Sequence, residues 1–260
     1  MRKLDREVTI PTTHPRYTSL MTREKIVTGY KNGLVALEGL IAHGRGECFD
    51  YLIGEQTTDS ARLAIDAAAA QLLISNYPVI SVNGNVAALC SDLVCSLHRS
   101  VKKSMLEINL FYYTKERELK ISAELAKFGV SNVLGTNPHN LVRIPELESN
   151  RRLVDRNGIF KADTVFVPLE DGDRTLALKK MGKKVITVDL NPLSRTSLEA
   201  SITIVDNIIR VIPLLIERIQ YHKKNSSEND LYAILENYDN EKGLKNALFI
   251  MRTDGKNKFL

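Results

Sequence analysis

The chain has 260 residues, 43% of them hydrophobic and 26% charged, which is enough to bury a full core and shows none of the biased tracts of collagen or disorder. No run approaches the ~20 apolar residues of a membrane helix, and the opening MRKLDREVTIPTTHP has charges with no apolar stretch behind them, so a cytoplasmic protein without a membrane partner is expected. The net charge of +5 comes from short pairs such as Lys102-Lys103 and Lys183-Lys184 among interspersed acids, which argues against nucleic acid and for a small polyanionic partner.

In chain order, the part up to residue 76 lacks a strand and carries helical spacing instead, at Leu34, Leu37, Leu40 and Ile41 and then in an alanine-rich run from Ser60 to Ser75. A helical N-terminal layer is expected there. From residue 77 strands and helices alternate. PVISVNG (Pro78 to Gly84) reads as a strand ending in a turn, followed by a helix from Val86 to about Val101, which would hold both Cys90 and Cys95. Together with Cys48 these cysteines lack CxxC spacing, so no disulfide framework or zinc site is expected. MLEINLF is the second strand, and Thr114 caps a helix that stops at Gly129. SNVLG, ADTVFVPL and KKVITVDL follow as third, fourth and fifth strands, with a helix from about Arg174 to Gly182 between the last two, and SITIVDNI adds a sixth strand leading into a helix. Strand–helix alternation of this kind predicts an α/β, Rossmann-like, doubly wound and mainly parallel sheet over residues 77–220. The charged remainder, 221–260, reads as a helical tail that need not touch the site, and the whole chain as one unit.

In an open parallel sheet, ligands bind beyond the carboxyl ends of the strands. The residues at those ends are polar each time. Asn83-Gly84-Asn85 offers two amides around a glycine, although a plain turn capping the next helix explains the same residues. Glu170, Asp171 and Asp173 beside Arg174 form a candidate magnesium or substrate-orienting cluster, with helix capping as the bland account of one of them. Asp189 stands where an acid binds a ribose hydroxyl, and Ser194, Arg195 and Thr196 are donors for phosphate. Nearer the N-terminus, HGRGE brackets Arg45 with glycines that would let the backbone approach an anion, and His43 beside it is the one histidine given a catalytic reading. His14, His98, His139 and His222 are read as structural. GxGxxG is absent, which removes the main support for a dinucleotide-binding dehydrogenase.

The strings HPRYTSL, GLIAHGRGECFDYLIGE, PVISVNGNVAAL, LEINLF, ADTVFVPLEDGDRT and VITVDLNPLSRT followed by ITIVDNIIR resemble, in that order, the archaeal phosphopantothenate synthetases, or 4-phosphopantoate:β-alanine ligases, over roughly positions 11–215. The resemblance implies a homodimer that condenses 4-phosphopantoate with β-alanine, using ATP and releasing AMP and pyrophosphate, on a route to coenzyme A; Mg²⁺ would enter with the nucleotide phosphates. It places ATP contacts on Arg23, Arg45, Asp189, Leu190, Asn191, Arg195, Thr196, Asn207 and Ile208. Arg45 and Arg195, with His43, would serve the chemistry, and Arg16, Asn83 and Asn85 would hold the phosphorylated acid. Two positions depart from the family pattern: Cys48 stands where alanine is common, and Tyr113 where a basic residue often precedes the threonine. Two other readings remain open, a nucleotide-binding regulatory module without chemistry and a pantoate kinase-like phosphoryl transfer.

Overall fold

The computed structural model describes residues 10–257 except Glu146, Glu148 and Glu170. Three helices open the chain, α1 (Tyr17–Lys31), α2 (Leu37–Leu52) and α3 (Asp59–Ile74), as the helical spacing predicts. Strand–helix alternation follows: β1 (Pro78–Val82), α4 (Gly84–Ser100), β2 (Met105–Ile108) and α5 (Lys115–Ala126). A short hairpin, β3 (Leu141–Arg143) and β4 (Leu153–Asp155), precedes β5 (Thr164–Pro168), α6 (Gly172–Lys180), β6 (Lys184–Val188), α7 (Arg195–Glu199) and β7 (Ile202–Ile204). The chain closes with α8 (Ile208–Asn225), α9 (Glu228–Asn237) and α10 (Asn240–Asn257).

Five strands form one parallel sheet in the order β2-β1-β5-β6-β7. Side chains alternate across it. Ile80, Val82, Leu106, Phe166, Ile186 and Ile204 face the layer made by α3, α4 and α8, while Val79, Val165, Val167 and Val185 face α6 and the hairpin, whose Ile144 and Val154 cover them. Both faces are therefore buried, and this is why the strands read as continuous β-branched runs. Hydrogen bonding marks the helix ends as the sequence predicts. The Thr114 hydroxyl accepts from the Arg117 N–H at 3.2 Å to open α5, and Gly129 and Gly182, at φ of +83° and +78°, turn the chain out of α5 and α6.

The structure departs from these expectations in two places. SNVLG is not a strand of the sheet: Leu134 exchanges two backbone hydrogen bonds with the edge of β2, and then Gly135, at φ +85°, turns the chain away. The β3–β4 hairpin was not expected, because three-residue strands carry too little alternation to be read. The tail is helical, and Leu244, Ala247 and Met251 of α10 pack on Ile53, Leu190 and Val205 at the carboxyl ends of the strands.

Candidate functional site

Between β1 and β5 the direction of strand addition reverses, because β2 was laid down on one side of β1 and β5 on the other. Such a reversal opens a crevice at the carboxyl ends of the two strands. A cleft of about 280 Å³ lies there, lined by Asn83, Gly84 and Asn85 after β1, Tyr112 and Arg117 after β2, Leu169 and Asp171 after β5, Arg151, and α2 with Glu38 near its start and Arg45 in its middle. At its floor Leu169 holds a left-handed backbone, φ +57°, which costs a branched residue on the order of 1 kcal/mol and persists only where neighbours impose it. The Asn83 amide does so, donating to the carbonyls of Pro168 and Leu169 at 3.2 and 3.1 Å.

Helix α2 lies along the carboxyl rim as a bar. Near one end the Gly39 carbonyl accepts from Asn85 Nδ2 at 2.9 Å, beside β1. In the middle Gly46 faces Leu190, after β6. At the other end Asp50 accepts from Asn207 Nδ2 at 2.8 Å and pairs with Arg210, after β7. The lengths match. Residues 39 to 50 of a helix rise roughly 16 Å at ~1.5 Å per residue, and the three strand steps from β1 to β7 span roughly 14 Å at ~4.8 Å each. HGRGE is thus interior helix, its N–H groups bonded within α2, so a clamp on an anion there would be the Arg45 guanidinium and not the backbone N–H groups. What Gly44 and Gly46 leave is a thin helix surface around an exposed Arg45.

Many polar residues of the rim hold helix starts. Asn83, Asp171, Ser194 and Asn207 cap α4, α6, α7 and α8. Asn83 and Asn85, expected at the phosphorylated acid, spend their amides on the Pro168, Leu169 and Gly39 carbonyls and line the cleft as its frame. Asp189 accepts from the Asn191 N–H at 2.9 Å and from the Ser194 hydroxyl, which shapes the β6–α7 turn. Burial pushes its carboxyl above the usual range, against the pull of those donors and of the Arg45 charge. Arg45 lines the cleft, and its neighbour Gly46 meets Leu190 of the β6 turn. Leu190 and Thr196 are buried beside it, and Asn207 and Ile208 open α8 at the end of the bar. Arg195 is exposed and pairs with Asp173 at 2.7 Å.

Arg16 and Arg23 are brought to a different place. Both pair with Glu47 on the flank of α2, Arg16 at 3.2 Å and Arg23 at 2.6 Å, and Arg16 also meets Glu55 at 2.9 Å. Glu47 stays below its ordinary pKa, since Arg23, Ser19 and Arg16 outweigh the opposing effect of burial. His43 lies one turn earlier, and burial, helped by the Arg23 charge, lowers its pKa and favours the neutral ring. Tyr113 donates to Glu118 at 3.0 Å, and Cys48 is exposed on α2.

Of the expected magnesium cluster, Glu170 lies outside the described residues. Asp171 faces Arg151 at 3.2 Å, and Asp173 faces Arg195. Among the described residues no group of three or more His, Cys, Asp or Glu side chains is placed to hold a metal, and Mg²⁺ that enters with nucleotide phosphates needs only one or two carboxylates. Sequence reasoning missed Arg117, Arg151, Asp50 and Arg210. Arg117 follows β2 and falls under the strand-end rule, whereas Arg151 stands in the unexpected hairpin, where no local pattern points to it.

A protein of Thermococcus onnurineus named 4-phosphopantoate--beta-alanine ligase is 54% identical over 246 residues, 94% of this chain and 93% of its own length. Proteins of the same name from Thermococcus kodakarensis and Methanosarcina mazei are 53% and 50% identical, over 94% and 92% of this chain and 93% and 92% of their own lengths. The profile of the phosphopantothenate/pantothenate synthetase family matches residues 60–254. With relatives this similar aligned from end to end over the sheet, the rim and the bar, the chain belongs to the phosphopantothenate/pantothenate synthetase family.

Proposed function

We propose that this enzyme condenses 4-phosphopantoate with β-alanine, consuming ATP and forming 4'-phosphopantothenate, AMP and pyrophosphate, a ligase step toward coenzyme A. One observation supports the reading beyond the relatives' names: Arg45 lines the reversal cleft, and the next residue of α2, Gly46, faces Leu190, directly after Asp189 at the end of β6. A cleft of about 280 Å³ takes a small acid, since pockets for larger ligands run from ~300 to 1,000 Å³. The nucleotide then lies on the open rim beyond it, along Asp189, Leu190, Asn191, Arg195, Thr196, Asn207 and Ile208. Acid and nucleotide meet under one guanidinium.

A carboxylate does not acylate an amine at neutral pH, because oxide would have to leave. In the first step a carboxylate oxygen of the acid bonds to the α-phosphorus of ATP as the bond to pyrophosphate breaks. In the second, the β-alanine nitrogen bonds to the acyl carbon, AMP leaves and the nitrogen loses its proton. Arg45 and Arg195 stabilise charge on the phosphorus oxygens and departing pyrophosphate, and His43, held neutral, is the candidate to take the proton. Magnesium arrives with the nucleotide as part of the substrate.

The homodimer reading rests on α2. Leu37, Ile41 and Tyr51 are 57–63% exposed, and with Gly44 and Cys48 they fall at alternating spacings of four and three on its outer side. Among the described residues no helix is long and apolar enough to cross a membrane, and neither a membrane nor a nucleic-acid partner is part of the proposal.

The test is a product assay with 4-phosphopantoate, β-alanine and ATP, read by mass spectrometry, together with exchange of labelled pyrophosphate into ATP. AMP and acid-dependent exchange are expected. ADP would mean phosphoryl transfer, and no turnover would leave a binding module.

A further inference from the structure

Arg117 stands at the start of α5 with its guanidinium in the reversal cleft. Its Nε and Nη2 donate to the Leu34 carbonyl at 3.3 and 3.1 Å, and its Nη1 donates to the Tyr112 carbonyl. Arginine has five N–H groups, so one on each terminal nitrogen remains for a ligand. The guanidinium is half-buried, and among the described residues it makes no ion pair; the one acid whose charge acts on it is Glu38, which also lines the cleft. Gly84 lets it come this close, since a Cβ there would lie 2.6 Å from Arg117 Nη2 and 2.3 Å from the Leu34 oxygen. A desolvated cation held by two carbonyls and lacking a carboxylate in contact is a site for an anion, and two terminal nitrogens side by side match the oxygens of a phosphate.

The strand order gives this site a direction. Along the rim the sequence is β2, β1, β5, β6, so Arg117, after β2, and Asp189, after β6, lie at opposite ends, with Arg45 acting on Asp189. On the reading of the chain as an acid-activating ligase, the reacting carboxylate must reach the nucleotide near Arg45, within roughly 3–3.5 Å of the phosphorus. The phosphate of a 4-phosphorylated acid is at the other end of that molecule. We propose that Arg117 is the phosphate-recognising residue of the acid subsite, the group by which the enzyme takes 4-phosphopantoate and refuses free pantoate. This assigns to Arg117 the role that the sequence suggested for Asn83, Asn85 and Arg16.

The experiment is calorimetric binding of 4-phosphopantoate, pantoate and ATP to the full chain and to Arg117→Ala and Arg117→Lys. The wild type is expected to prefer the phosphorylated acid by about 100-fold or more, the scale of one desolvated charge pair. Arg117→Ala should bring that preference down to within about tenfold, and Arg117→Lys should keep part of it, while ATP affinity stays within about threefold. A purely structural Arg117 would weaken both acids alike and leave their ratio unchanged, and that result overturns the proposal. So does a loss of ATP affinity in step with the acid, or a wild type without preference. The lysine variant keeps a cation, so the ratio stays readable if the alanine variant does not fold. Formation of AMP by the wild type is scored separately: a chain that prefers the phosphorylated acid yet makes no AMP keeps this subsite and loses the ligase reading.

Discussion

Arg45 is exposed on α2, so its removal should leave the fold intact and, on the proposed mechanism, take away an electrostatic donor at the reacting phosphorus. Arg45→Ala is expected to lose about 3 kcal/mol of transition-state stabilisation, roughly a hundredfold or more in turnover, with the melting temperature unchanged. Near-normal rates would remove Arg45 from the chemistry. Glu107 makes the opposite case, a residue important to folding and remote from the reaction. Buried within β2, it accepts from the Asp155 and Ile159 N–H groups at 3.0 and 2.6 Å, and burial raises its pKa to about 7. The folded chain then holds a proton that the unfolded chain has lost between pH 4.5 and 7, so this group's contribution is full below pH 4.5 and is lost as pH rises through 7. The loss is on the order of 3 kcal/mol. Urea unfolding from pH 4.5 to 8 should show this downward slope in the wild type relative to Glu107→Gln, which cannot ionise, and parallel curves would rule it out.

At the scale of elements, the bar α2 has two glycines with opposite expectations. A Cβ at Gly39 would lie 2.4 Å from Asn85 Oδ1 and 2.8 Å from Val35 Cγ1, so Gly39→Ala should push α2 off the start of α4, costing ~1–3 kcal/mol and most of the activity. At Gly44 nothing lies within 4 Å. Gly44→Ala should therefore stabilise the helix of an isolated chain by ~0.5–1 kcal/mol, and if two chains meet along Leu37, Ile41 and Tyr51 it should weaken their association. Thermal melts and sedimentation equilibrium separate the two effects. Elements with capping signals were legible in advance: Thr114 with Gly129 bounded α5, and Gly182 closed α6. The β3–β4 hairpin was illegible because pairing over three residues is decided by the face it covers and not by its own pattern. The strand-end rule found Asn83, Asp171, Ser194 and Asn207, yet could not separate ligand contact from helix capping, since both use the same polar atoms. Nor could it see that Arg16 and Arg23 would turn to Glu47, a partner 24 to 31 residues away.

The whole molecule braces its functional rim from outside the sheet. Ala247 of α10 is fully buried against the group containing Ile53 and Leu190, so Ala247→Asp would place a charge without a partner there, costing about 3 kcal/mol or more. Because that packing supports α2, activity should fall before secondary structure does when the variant is warmed, and loss of both at one temperature would argue that α10 only closes the fold. The bar itself has a final consequence. A stiff rod pinned near β1 and again near β7 turns a push at one end into a tilt at the other, so a molecule seated in the cleft and a nucleotide lying beyond it share one lever. Each should then change the other's grip by an equal factor, since linkage between two bound partners is reciprocal. The order in which the substrates arrive would be a matter of rates and concentrations, with neither one required to come first.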